Sequence, residues 1–301
     1  MSPKQAPRRP GARGQSALGK TELGSRIEPR ASAPRAQPGQ LERRAASPSG
    51  SRAQSQAGQT ERVVGLGAAT AVLRARPQDV LNIAHTQAAR RELKELLREA
   101  ARLRIAYREV ESDELTRISD TVHHEGICLL VKQRPATTVA DLARAIAHEG
   151  VLLALDRVDN PHNVGALLRS AAYFGVRGLL LVSPRERALT PSVVRVAEGG
   201  AEAVPTCLVP SLVEPLTQLR KDGVAILGAD AHRGEPMHSF VFPARSVLVL
   251  GSERHGLAAE VEQRCSQFIH IPGTDAVESL NVSVAAGILL AFATRRGARS
   301  S

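Results

Sequence analysis

Residues 271–286 read IPGTDAVESLNVSVAA, a polar turn holding Glu278, Ser279 and Asn281 that runs straight into an apolar helix. Phe268–Ile271 has the apolar character of a short buried strand, which Pro272 and Gly273 then break. A helix over 282–294 follows, and either Asn281 or Ser279 can cap it through a side-chain oxygen. A helix start offers unpaired backbone N–H groups beside side-chain acceptors, which makes it a natural ligand cradle. Capping alone needs one such residue, and three polar side chains within four positions exceed that need.

Upstream the same strand, polar turn and helix recur. Residues 151–155, 178–182, 204–208, 224–227 and 247–250 read as strands, several of them continuous apolar runs of the kind found in parallel sheets covered on both faces. Helices are expected at 164–174, at 191–198 behind a Thr190 cap and at 214–222. This makes a domain from Val139 to about residue 297. A smaller α/β domain is expected over 62–135, with strands at 63–66, 80–84, 105–110 and 127–131 and helices at 68–76, 86–101 and 113–118. Residues 132–138, containing Pro135, read as the hinge between the two.

An open parallel sheet collects its ligand at the carboxyl ends of its strands, and two further strand ends carry polar residues. After Leu155 comes DRVDNPHNVGALLR, ending at Arg169, a loop entering a helix that Asn163 can cap. Arg169 lies six residues beyond Asn163, roughly 120° around the helix, so the two do not share a face. After Leu250 comes GSERHG, in which Gly251 and Gly256 permit a tight turn and Glu253 places a carboxylate near the strand tip. Taken singly, these residues read as caps, an exposed arginine and a turn carboxylate; together they read as a site.

Residues 156–171, 250–257 and 271–290 resemble the three ordered motifs of the SpoU family of RNA ribose 2'-O-methyltransferases, TrmH-like members of the SPOUT class. Asn163, Gly165, Arg169 and Ser170 match the first motif, Gly251, Ser252, Glu253 and Gly256 the second, and Glu278, Ser279, Leu280, Asn281 and Val282 the third. Asp275 and Arg254 stand where many members have glycine. The resemblance implies an α/β fold closed by a trefoil knot, with S-adenosyl-L-methionine held by Leu250, Gly251, Ile271 and Leu280. It implies catalytic positions at Arg169, Asn163, Glu253, Ser279 and Asn281, an RNA substrate and a homodimer. It further implies that the domain over 62–135 binds substrate RNA. A guanidinium stays protonated in water, so Arg169 is expected to position the hydroxyl and the adjacent phosphate.

Charge agrees with an RNA partner. Residues 1–60 hold eleven Lys or Arg against three Asp or Glu, so this tail carries most of the formal +10 of the 301-residue chain. The tail lacks aromatic residues and is rich in Pro, Gly, Ser, Ala and Gln, a composition that predicts disorder and attraction to phosphates. Pro3, Pro7, Pro10 and Gly11 argue against an amphipathic transit helix. No apolar run is long enough to cross a bilayer, so a cytoplasmic protein is expected. Aromatic residues make up only 2% of the chain, favouring shape and phosphate contacts over base stacking.

Other motifs carry less. The three cysteines lack a disulfide or zinc spacing, and no metal is expected. The Gly65–Thr70 stretch is an incomplete dinucleotide fingerprint, and His123 with His124 reads as linker. Arg90, Arg91, Lys94 and Arg98 can meet phosphate, although the interleaved Glu92, Glu95 and Glu99 favour a solvated helix face. The alternative to a transferase is an RNA-binding or assembly factor with a degenerate methyltransferase fold.

Overall fold

The computed structural model describes residues 60–183, 189–274 and 276–294. The expected disordered tail, apart from Thr60, and the position of Asp275 lie outside them.

The first elements are β1 (Thr60–Val64), α1 (Leu66–Ala75), β2 (Val80–His85), α2 (Lys94–Arg102), β3 (Tyr107–Glu109), α3 (Ser112–Ser119) and β4 (Ile127–Lys132). They form a four-stranded sheet in the order β1-β4-β2-β3, antiparallel except where β2 meets β3. Leu66 opens α1 instead of ending a strand, because Gly65 turns the chain at a φ of 90°. The helix expected from Thr86 begins only at Lys94: Thr86 Oγ1 accepts from Ala89 N–H, and residues 87–93 run as turns. His124 is no linker. It is buried, its Nδ1 accepts from Gly126 N–H at 3.0 Å and its Nε2 lies 3.2 Å from Thr116 Oγ1. The mixed charges of α2 pair along the helix at a spacing of three residues, Arg98 with Glu95 and Arg102 with Glu99.

The remaining elements are α4 (Val139–Ala145), β5 (Gly150–Leu155), α5 (Pro161–Tyr173), β6 (Gly178–Val182), α6 (Pro191–Val196), α7 (Gly200–Ala203), β7 (Thr206–Val209), α8 (Val213–Lys221), β8 (Ala225–Ala229), β9 (Glu235–Pro236), β10 (Arg245–Leu250), α9 (Ala259–Glu262), β11 (Gln267–His270) and α10 (Val282–Ala293). The strands form one parallel sheet in the order β7-β6-β5-β10-β8-β11-β9. Its two-residue alternation is visible in β5. Val151, Leu153 and Leu155 enter the core shared with α5 and α10, while Leu152 and Ala154 enter the core on the other face. The helix α4 was not anticipated; Thr138 and Asp141 form a capping box at its start.

The core on the α5 face is continuous with that of the small sheet, running from Val63 and Val72 through Val164 and Val193 to Leu290. Glycines permit the close approaches. A Cβ on Gly165 would sit 2.6 Å from Val196 Cβ, and one on Gly200 would sit 2.6 Å from Leu168 O, so α6 and α7 lie directly against α5. Residues 132–138 are held as well. Arg134 donates to the carbonyl of Ala201 and lies near Glu61 and Glu202. At the centre of this junction Arg76, buried at 7% exposure, binds Glu61 Oε1 at 2.5 Å, Glu202 Oε2 at 3.0 Å and the carbonyl of Lys132 at 2.7 Å. These partners raise its pKa against the opposing effect of burial, so it stays charged. Replacing Arg76 with Ala leaves Glu61 and Glu202 only their longer contacts to Arg134, and urea unfolding should show a loss of about 3 kcal/mol; a loss below about 1 kcal/mol, the range of exposed pairs, would contradict this account.

Candidate active site

Because every strand of the large sheet runs the same way, the turns after β5, β10 and β11 emerge at one edge, and β5 and β10 are immediate neighbours. Asn281 caps α10, its Oδ1 accepting from Ser283 N–H at 3.0 Å and Val284 N–H at 3.4 Å. That duty turns Nδ2 the other way, where it donates to Glu253 Oε1 at 2.6 Å and to Asn163 Oδ1 at 3.1 Å. Glu253 Oε1 also accepts from Asn163 Nδ2 at 3.1 Å and from Val282 N–H at 3.3 Å. One carboxylate oxygen therefore joins residues from three turns, beside the positive end of α10.

The turn that presents Glu253 is tightly closed. Ser252 and Gly256 exchange two backbone hydrogen bonds, of 3.1 and 2.9 Å, and His255 N–H donates to Ser252 Oγ. A Cβ on Gly251 would lie 2.2 Å from the carbonyl carbon of Gly256, so only glycine fits there. Asp156, at the end of β5, is buried, and its Oδ2 accepts from Ala258 N–H at 2.6 Å, tying that strand end to the residues behind the turn. The sequence offered one signal for Asp156, a lone acid at the tip of an apolar strand, and it was not singled out.

Several expectations change. Asn160, not Asn163, caps α5: its Oδ1 accepts from His162 N–H at 2.9 Å, and Pro161, which has no N–H to leave unpaired, takes the first helical position. This frees Asn163 to face Glu253. Ser279 is exposed and plays no part in the cap, which Asn281 supplies alone. Arg169 is not brought into the cluster; its Nη1 lies 2.9 Å from Glu198 Oε1, between α6 and α7. Leu250 is buried under the turn, Ile271 is half-buried, and Leu280 is 43% exposed. Gly65 and Gly67, the partial fingerprint, instead let α1 approach Arg195 and Glu198.

Burial pushes the thiols of Cys128 and Cys265 up to about 11, so both remain protonated at neutral pH. No cluster of three metal-ligating side chains occurs among the described residues, and none of their helices is long and apolar enough to cross a membrane.

A parallel sheet with three polar turns gathered at one carboxyl edge is the arrangement of a ligand-binding α/β protein, and comparison with known proteins defines which. Residues 150–291 match the SpoU rRNA Methylase family, and residues 62–136 match the RNA 2'-O ribose methyltransferase substrate binding family. The 23S rRNA (guanosine-2'-O-)-methyltransferase RlmB of Bordetella pertussis is 32% identical over 79% of this chain and 98% of its own length. A tRNA/rRNA methyltransferase named as uncharacterized, YfiF of Escherichia coli O157:H7, is 37% identical over 76% of this chain, which spans 66% of that relative. Among solved structures, a TrmH-family protein from Porphyromonas gingivalis superposes with a TM-score of 0.63 at 26% identity, covering 81% of this chain and 93% of its own. The SpoU methyltransferase AviRb from Streptomyces viridochromogenes, solved with AdoMet, shares the fold at a TM-score of 0.67 and 24% identity, over 84% and 96% of the two chains. The chain belongs to the SpoU rRNA methylase family.

The double duty of Asn281 can be separated by substitution. Asn281→Ala removes the cap and should cost about 1 kcal/mol in urea unfolding, whereas Asn281→Ser keeps a capping oxygen and should recover most of that loss. Equal losses for the two variants would show that capping is not what Asn281 contributes to stability.

Proposed function

We infer that this chain transfers a methyl group from S-adenosyl-L-methionine to a ribose 2'-hydroxyl of ribosomal or transfer RNA. The observation that carries this reading is the joining of Asn163, Glu253 and Asn281 through one carboxylate oxygen at the strand ends. The near full-length alignment with RlmB supports the reaction, and the match of residues 62–136 supports RNA as the substrate.

The residues present suit the cofactor. A Cβ on Gly273 would meet nothing within 4 Å, so the backbone of the turn after β11 is open to approach, whereas the space beside Gly251 is taken by the backbone of Gly256, which closes the turn after β10. Ile271 and the exposed Leu280 supply apolar surface of the kind a purine ring covers. S-adenosyl-L-methionine, when bound, supplies an electrophilic methyl group on a sulfonium. Glu253, fixed by three donors, and Asn163 and Asn281, fixed by Glu253, give that edge rigid polar groups for orienting a ribose and an amino-acid moiety. Ser279, exposed two residues before Asn281, adds a hydroxyl. Arg169, once released from Glu198, would hold the 2'-hydroxyl and its neighbouring phosphate, its permanent charge favouring loss of the hydroxyl proton to solvent water as the methyl group transfers and S-adenosyl-L-homocysteine leaves. By the same family likeness the C-terminal part of the domain threads through a loop as a trefoil knot.

Incubation with labelled S-adenosyl-L-methionine and unmodified ribosomal and transfer RNA should place label on ribose, and Arg169→Ala should reduce it by about 100-fold or more, the scale on which general acid–base and electrostatic contributions act. Asn281→Ser should stay impaired although its helix is capped. Calorimetry that found no binding of S-adenosyl-L-methionine would turn the reading towards an RNA-binding factor.

The chain is also read as a homodimer. Tyr173 at the end of α5, 84% exposed, and Val284 on α10, 51% exposed, leave apolar surface uncovered on two helices that pack together. Sedimentation velocity on the full chain should give the mass of two copies, and a single-copy mass at micromolar concentration would overturn this.

A further inference from the structure

The arginine that the proposed reaction needs is held, in the free chain, by a carboxylate outside the Asn163–Glu253–Asn281 cluster. Arg169 and Glu198 pair at 2.9 Å with side chains 60% and 52% exposed. An ion pair that open to water is weak and screened by salt, so another anion can replace the carboxylate at the guanidinium.

The backbone shows that Glu198 is not an incidental surface residue. Its φ is 44°, in the left-handed region that side chains other than glycine adopt at a cost, and Gly199 follows at 96°. A glycine would make this turn without that cost, yet a carboxylate stands there. The turn is also fixed to the arginine it serves. A Cβ on Gly200 would meet the carbonyl of Leu168 and the N–H of Arg169 itself at 2.6 and 2.9 Å. From the other side, Gly67 of α1 brings the small domain to Glu198, where an added Cβ would lie 3.3 Å from its Cβ and Cγ. Glu198 is thus braced between the two domains, with only its carboxylate reaching outward to Arg169.

Resting on the RNA methyltransferase reading above, we propose that Glu198 is an internal substitute for an RNA phosphate, occupying Arg169 in the free protein and displaced from it when RNA binds. A carboxylate and a phosphate oxygen present the same planar guanidinium with similar acceptors. While Glu198 holds Arg169, the arginine needs no counterion from solution, so the arrival of a phosphate releases none there. Without the carboxylate, Arg169 carries a counterion in the free state and gives it up on binding RNA. Loss of Glu198 therefore tightens RNA binding and makes it more sensitive to salt.

The test is filter binding of transcribed, unmodified 23S ribosomal RNA to the full chain between about 50 and about 200 mM salt, with methyl transfer read on the same mixtures. Glu198→Gln should bind more tightly than wild type at the lowest salt and steepen the slope of log K against log salt by about 0.7 to 0.9, the share of one phosphate. Glu198→Gly, which also relieves the left-handed backbone, should do the same with a raised Tm. In an Arg169→Ala background neither substitution should change the slope. A slope unchanged by Glu198→Gln, weaker binding by both variants, or steepening that persists without Arg169 would each overturn the proposal; the last would show a general charge effect. Absence of methyl transfer by wild type on ribosomal and transfer RNA alike would instead overturn the methyltransferase reading itself.

Discussion

Three donors converge on Glu253 Oε1, and each comes from a different commitment of the chain. Val282 N–H is an unpaired group at the start of α10. The Asn281 amide is turned towards the carboxylate because its oxygen is taken by the cap. The Asn163 amide is available because Asn160 and Pro161 have already begun α5. A carboxylate with this set of partners cannot move without breaking a helix start or reopening the glycine turn that carries it. The polar edge of the sheet is therefore set by backbone geometry as much as by side-chain choice.

Strand order gives that edge its position. β10 lies between β5 and β8, so the turn bearing Glu253 emerges beside the loop that leads to Asn163. The turn after β11 is one strand further away and reaches back through residues 271–281 to place Asn281. Asp156 contributes from below, its buried oxygen fixing the segment that leaves the glycine turn. Asn163, Glu253 and Asn281 are distant in sequence, and the parallel order of the sheet together with these loop contacts brings them together.

Much of this was legible from local pattern. The apolar runs at 151–155 and 247–250 identified parallel strands because residues buried on both faces leave no polar alternation. A cap at Asn281 or Ser279 was recognisable because an apolar helix follows at once, and the fold chose Asn281. What local pattern could not supply was any relation that depends on a distant element. Asn163 looked like a cap because it sits near the helix start, and only the path of the chain shows Asn160 in that role. His124 looked like linker because its partners, Thr116 and Gly126, bury it through a turn with no periodic signal. The pairing of Arg169 with Glu198 is of the same kind: helix geometry excluded a shared face with Asn163, and the fold alone supplied the partner. Gly65 and Gly67 form an incomplete motif in the sequence, and their packing against Arg195 and Glu198 has no local signal at all.

The charged knot of Arg76, Glu61, Glu202 and Arg134 lies where the two sheets adjoin, and the apolar core runs past it without interruption. Cutting the chain at 132–138 would separate Glu202 from Arg76, leave Arg76 its pair with Glu61, and expose an apolar face on each fragment. The two sheets therefore share their stabilisation, and a boundary drawn through residues 132–138 would divide a core and an ion-pair cluster that belong to both.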